Sequence, residues 1–247
     1  MSLFSTLQTD DKIENETDNL GGGGALESGI YLASVNMAYA IKSQGGALGV
    51  VLILKTENNR EIRETLWVTS GDSKGNKNYY ETKDGERRYL PGFNHFQALS
   101  LLTAGVEASQ LESEDKMVNV YSPEAKKEVP TSVPVLVELL DKDVYVGLFK
   151  QTVDKRQKGN DGQYHPTGET RDENEINKFF RAQDKMTTAE IRGQAEQATF
   201  FDDWQDKWTG VTLDKTAKDS GNSGTAGAPP AAQTSKPQSS LFAKKAS

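Results

Sequence analysis

The run Arg63-Glu64-Thr65-Leu66-Trp67-Val68-Thr69 carries the pattern with the clearest chemical meaning. Read with the two-residue period of a β-strand, it puts Ile62, Glu64, Leu66 and Val68 on one face and Arg63, Thr65, Trp67 and Thr69 on the other. An indole stacks on any nucleobase and a guanidinium neutralises phosphate, so a Trp and an Arg on one polar face form a platform for single-stranded nucleic acid. The same spacing also fits a Trp half-buried beneath the loop that follows. That loop, 70–90, interleaves Lys74, Lys77, Lys83, Arg87 and Arg88 with Tyr79, Tyr80 and Tyr89. Cations spaced among aromatics suit a sequence-tolerant groove. Asp72, Glu81, Asp84 and Glu86 dilute the charge, and a solvated hairpin is the alternative reading. A third basic run, Lys150, Lys155, Arg156 and Lys158, follows Tyr145, Gly147 and Phe149 on a long strand. The cations are expected to meet phosphates and the two rings to belong to the core.

Catalytic groupings are sparse. The two histidines, His95 and His165, belong to no metal-ligand spacing, and His95 beside Phe96 reads as structural. No Walker A, GxGxxG or GxSxG sequence occurs. Cysteine is absent, which removes disulfides, thiolate-bound zinc and thiol nucleophiles. A magnesium nuclease built from separated carboxylates stays open as an alternative. The expectation is a non-enzymatic protein with no cofactor and no metal. Its net charge of −7 argues only weakly against nucleic acid, because a binder need be basic on one face alone.

These residues need a scaffold. Ile30 to Ile41, Ala47 to Thr56 and Glu61 to Thr69 read as three meandering strands, turned at Gln44-Gly45-Gly46 and at Asn58-Asn59. After the 70–90 excursion, Asn94 caps a helix with Phe96, Leu99 and Leu102 at helical spacing, and Gly105 stops it. Strands are expected at 117–121, 133–140 and 144–153, a polar loop at 155–171, and a helical region over 188–208. The aromatic cluster Phe200, Phe201, Trp204 and Trp208 should dock on the β-domain. Three strands, a helix and further strands is the order of an OB-fold, a five-stranded barrel with an inserted helix. The expected fold class is therefore mainly β and OB-like.

The ends differ in composition. Residues 1–24 hold Asp10, Asp11, Glu14, Glu16 and Asp18 ahead of the Gly21–Gly24 hinge, an acidic flexible arm without the features of a secretory signal. The expected domain spans 25–208, and 209–247 is rich in Ser, Gly, Ala and Pro, with too little apolar surface to order itself. No run is long enough to cross a membrane as a helix.

The stretches Glu27-Ser-Gly-Ile-Tyr-Leu-Ala, Gly46-Ala-Leu-Gly-Val-Val-Leu, Arg63-Glu-Thr-Leu-Trp-Val-Thr, Leu90-Pro-Gly-Phe and Leu101-Leu-Thr-Ala-Gly resemble those of single-stranded-DNA-binding proteins of short-tailed bacteriophages. So do Val133-Pro-Val-Leu and Pro166-Thr-Gly-Glu-Thr-Arg, and the likeness covers about residues 20–208. The resemblance implies an OB-like protein that coats single strands in phage replication, recombination and repair, in the host cytoplasm. Many such proteins end in an acidic tail that recruits replication partners. Here the end, with Leu241-Phe242 before Lys244-Lys245, is basic. Leu241 and Phe242 remain candidates for docking replication or recombination proteins. A protein-interaction module is the remaining alternative function.

Overall fold

The computed structural model describes residues 24–122, 125–159 and 161–217. The acidic arm up to residue 23 and the tail from 218, including Leu241 and Phe242, lie outside the described residues. The described chain is mainly β, as the alternating patterns require.

Strands β1 (Gly29–Lys42), β2 (Leu48–Thr56) and β3 (Glu61–Trp67) form the antiparallel meander expected from the sequence. The 70–90 excursion is a 3-10 turn at Asp72–Lys74 followed by a small hairpin, β4 (Tyr79–Glu81) and β5 (Arg87–Tyr89). Helix α1 (Pro91–Thr103) buries Phe96, Leu99 and Leu102. It starts three residues before the expected cap at Asn94. Pro91 sits in the first turn, where its fixed φ suits a helix and its missing N–H costs nothing.

A second hairpin follows, β6 (Glu114–Ser122) and β7 (Lys127–Val135). The strand expected over 133–140 ends at Val135. Val137–Leu139 instead winds into a 3-10 turn that buries Leu139. Then come β8 (Asp143–Lys158) and β9 (Tyr164–Arg181), paired antiparallel along nearly their whole length. This corrects the expectation of a loop over 155–171. The outer part of this arm is polar on both faces, so no apolar alternation betrays it, yet backbone pairing needs none. The helical region over 188–208 is two pieces, α2 (Thr188–Arg192) and α3 (Phe200–Trp208). Glu190 makes the break orderly: its carboxylate accepts from the N–H groups of Thr187, Thr199 and Phe200. Order continues past Trp208, where the tail was expected to start. Strand β10 (Thr212–Asp214) runs parallel to β8, and the Ser28 hydroxyl donates to the Val211 carbonyl.

The main sheet has the order β3-β2-β1-β8-β9, with β7 joining β1 at Tyr39 and Val135. The sheet is not closed by a ladder. Instead the Glu64 carboxylate of β3 accepts the Ile176 N–H of β9 at 2.7 Å. Inside the curl lies the main core, including Leu52, Leu54, Leu66, Leu99, Val146, Leu148 and Phe179. A second cluster of Tyr39, Val51, Val133 and Val135 fixes the β6–β7 hairpin against the outer face of the meander. The third, Phe149, Phe180, Phe201 and Trp204, docks α3 on β8 and β9, as the aromatic cluster requires.

Candidate nucleic-acid interface

On β3 the inward residues are Ile62 and Leu66, while Arg63 and Trp67 point outward. The cross-strand rows on this outer face are Ile41–Gly49–Trp67, Tyr39–Val51–Thr65 and Met37–Ile53–Arg63. Gly49 decides how the indole lies. A Cβ there would sit 2.9 Å from Trp67 Cε3, so the ring rests directly on the bare backbone of β2. Gly92, in the first turn of α1, backs onto the Trp67 main chain just as closely. The ring is thereby seated on β2 and its main chain held by α1, while 42% of the residue stays exposed. Arg63 stands four residues away, about 13 Å along the strand. Its guanidinium donates to the hydroxyl of the buried Tyr39 at 3.3 Å and otherwise faces solvent.

The excursion is anchored beside this platform. The Val68 N–H donates to Leu48 O, and the Asp72 N–H donates to Gly45 O in the β1–β2 turn. Lys74 lies in the exposed 3-10 turn. In the β4–β5 hairpin Tyr79 pairs with Tyr89 and Tyr80 with Arg88, so the interleaved pattern becomes two faces. The Tyr79 ring carries the Lys77 ammonium at 5.4 Å and the Arg87 guanidinium at 5.1 Å. Tyr89 is exposed, its ring 5.0 Å from Phe93. Arg87 pairs with Glu81 at 3.2 Å and Arg88 with Glu86 at 2.9 Å. Both are surface pairs of small energetic value, and each guanidinium keeps donors for another oxygen.

The third basic run stands on a separate element, the β8–β9 arm. There Glu27, ahead of β1, and carboxylates of β9 supply the balancing charge. Lys150 meets Glu27 at 2.7 Å and Asp172 at 3.5 Å, and Lys155 meets Glu169 at 2.8 Å. The bond to Glu27 holds the Lys150 ammonium above its ordinary range, and Lys155 holds the Glu169 carboxyl below its own. Arg156 and Lys158 are exposed and form no ion pair with the described residues. Tyr145 and Phe149 are core, as expected: Tyr145 meets Phe201 edge-on at 5.3 Å and Phe149 stacks on Trp204 at 5.6 Å.

Burial shifts two half-buried groups, Glu64 and His95. Glu64 is pushed up to about 7, chiefly by burial, against the Ile176 N–H that favours its charged form; Glu173 and Glu175 push the same way as burial. Burial pushes His95 down, and the neutral ring donates Nε2–H to the Asn177 carbonyl at 3.0 Å. His95 is thus a helix-to-strand tie, the structural role its sequence context suggests. Sequence reasoning missed Gly49 and Gly92 as the supports of Trp67. The cross-strand pair with Trp67 is the signal for Gly49, and it needs the register.

Among the described residues, no three His, Asp or Glu side chains group to hold a metal ion. No described helix is long and apolar enough to cross a membrane. The sequence matches no protein-family model and no curated protein.

Proposed function

We propose that the chain binds single-stranded DNA without reading its sequence, and does so as a non-enzymatic coat. The half-exposed Trp67 indole, seated on Gly49 with Arg63 on the same strand face, carries this reading. Each stacked base contributes roughly 1–3 kcal/mol, and phosphate contacts along the groove make affinity fall with salt. The strand order β3-β2-β1-β8-β9, with α1 between β3 and the later strands, is the order of an OB barrel. Glu64 bridges the seam at which such a barrel closes. An OB-like barrel supporting a stacking platform on its outer face is therefore the architecture we favour. The resemblance to proteins of short-tailed phages extends the role to replication, recombination and repair in the host cytoplasm, with partner docking through Leu241 and Phe242.

Tryptophan fluorescence during titration with oligo-dT tests the core of the proposal. Trp204 is buried and Trp208 half-buried against Phe149, which leaves Trp67 the most exposed of the three reporters. Quenching that high salt reverses, with the oligonucleotide intact on a gel in the presence of magnesium, is the expected result. Trp67→Ala should bind at least tenfold more weakly. Wild-type affinity in that variant removes the platform, and cleavage of the oligonucleotide replaces the coat with a nuclease.

A further inference from the structure

We infer that the cleft between the β4–β5 hairpin, α1, β9 and α2 is a second subsite, one that holds phosphates of the same single strand beyond Trp67. The inference rests on the single-strand reading above. The cleft has a volume of about 650 Å³, and Arg87, Arg88, Lys178 and Arg192 line it without a single Asp or Glu. That is a marked local excess in a chain where acidic residues outnumber basic ones, 36 to 29.

The four cations come from three separate elements: β5, β9 and α2. Glu81 and Glu86, outside the cleft lining, balance Arg87 and Arg88 in part, as carboxylates elsewhere balance Lys150, Lys155 and Lys215. Lys178 and Arg192 form no ion pair with the described residues, and the Lys178 ammonium lies 5.4 Å over the Phe200 ring. The nearby acids are committed elsewhere. Glu190 caps the two helices around it, Glu175 holds Lys215, and Glu107 bonds Gln97. His95 stays neutral, so it adds no charge and repels none.

Cations without a carboxylate partner, here Lys178 and Arg192, attract phosphate in a concave site, and their charge is expressed most strongly where low-dielectric walls limit screening. Tyr80 lines the cleft as well and offers a ring to a base. The hairpin supplying Tyr80 and Arg88 follows directly on β3, which ends at Trp67. A strand crossing the hairpin passes from the platform into the cleft.

Fluorescence anisotropy with a labelled 25-nucleotide oligo-dT, read at several salt concentrations, tests this. The proteins compared are wild type, the double variant Lys178→Ala/Arg192→Ala, and a control, Lys127→Ala/Lys142→Ala, which removes two exposed lysines outside the cleft. Removing two phosphate contacts should shrink the slope of log affinity against log salt by about 1.4, at about 0.7 per contact on single strands. Affinity at moderate salt should fall about tenfold, with an unchanged melting temperature and an unaffected control. Wild-type slope and affinity in the double variant, or an equal loss in the control, overturns the subsite while leaving the platform standing. If dTMP binds in a way the double variant abolishes while oligo-dT binding persists, the cleft is a free-nucleotide site and the inference fails. A wild-type protein that does not bind oligo-dT overturns the single-strand reading and this subsite together.

Discussion

Glu64 should make the protein less stable as pH rises through neutrality. Its carboxylate sits in the seam between β3 and β9, where it accepts the Ile176 N–H at 2.7 Å. Burial raises its folded-state value from the ordinary 4.5 to about 7. A carboxyl raised in this way binds protons more readily folded than unfolded. Its stabilising share is therefore complete below pH 4.5 and is lost as pH climbs to about 7. At 1.36 kcal/mol per pKa unit the full span is roughly 3 kcal/mol, and partial access of water to the seam brings this nearer 2. His95 acts in the opposite direction, because its depressed value adds stability as pH rises through its ordinary 6.5. The clean comparison is thus between wild type and Glu64→Gln, which share His95. Gln is neutral and keeps an oxygen for Ile176. Urea unfolding from pH 5 to pH 8.5 should show near-equal stability at the acidic end. At the basic end the Gln variant should lead by about 2 kcal/mol. Parallel pH profiles for the two proteins would refute the buried-seam account, as would a lead for wild type at pH 8.5.

Two further outcomes follow from the site's construction. Gly49→Ala puts a methyl 2.9 Å from the Trp67 ring and 3.3 Å from Ile41, so the indole must lift. Oligo-dT binding should weaken several-fold although every proposed contact residue is intact, and overpacking should cost about 1–3 kcal/mol in a denaturant melt. On the β8–β9 arm, Lys150→Ala should leave the salt slope of binding unchanged, since Glu27 and Asp172 already balance that charge. Arg156→Ala/Lys158→Ala should lower the slope if the arm meets DNA, and equal behaviour of both variants in a salt titration would show that pairing within the fold does not decide which cations are available.

The sequence made the meander legible because β1 to β3 are bounded by turn residues and alternate or run apolar, as half-buried and buried strands must. The faces of β3 were legible for the same reason, and Trp67 and Arg63 do share the outer one. Strand β9 was not. Its first nine residues are exposed, and Thr, Glu, Arg and Asp there give no apolar period, so only the pairing to β8 defines it. That omission also hid the carboxylates of β9, which made Lys150 and Lys155 look more available than they are. The cleft cations Lys178 and Arg192 stand apart in sequence from each other and from the hairpin, so no local pattern could group them. The support of Trp67 by Gly49 depends on a register that alternation alone does not set.

A long two-stranded arm with polar faces has little to stop its strands from sliding past one another. Here the β8–β9 register shifts once near its base, where Gly147 faces Lys178 and Leu148 faces Ile176, leaving Asn177 as the extra residue. That residue is gripped from both sides: its carbonyl receives His95 of α1, and its side-chain oxygen receives the Trp204 indole N–H of α3 at 2.8 Å. The same indole lies over Gly147, where a Cβ would come within 3.1 Å. A slip of one position would unfasten both helices at once and exchange the faces of Phe179 and Phe180. Asn177 therefore works as a ratchet pawl, converting a minor irregularity of one ladder into a fixed indexing point for the inner half of the arm, up to the second shift between Asp154 and Arg156.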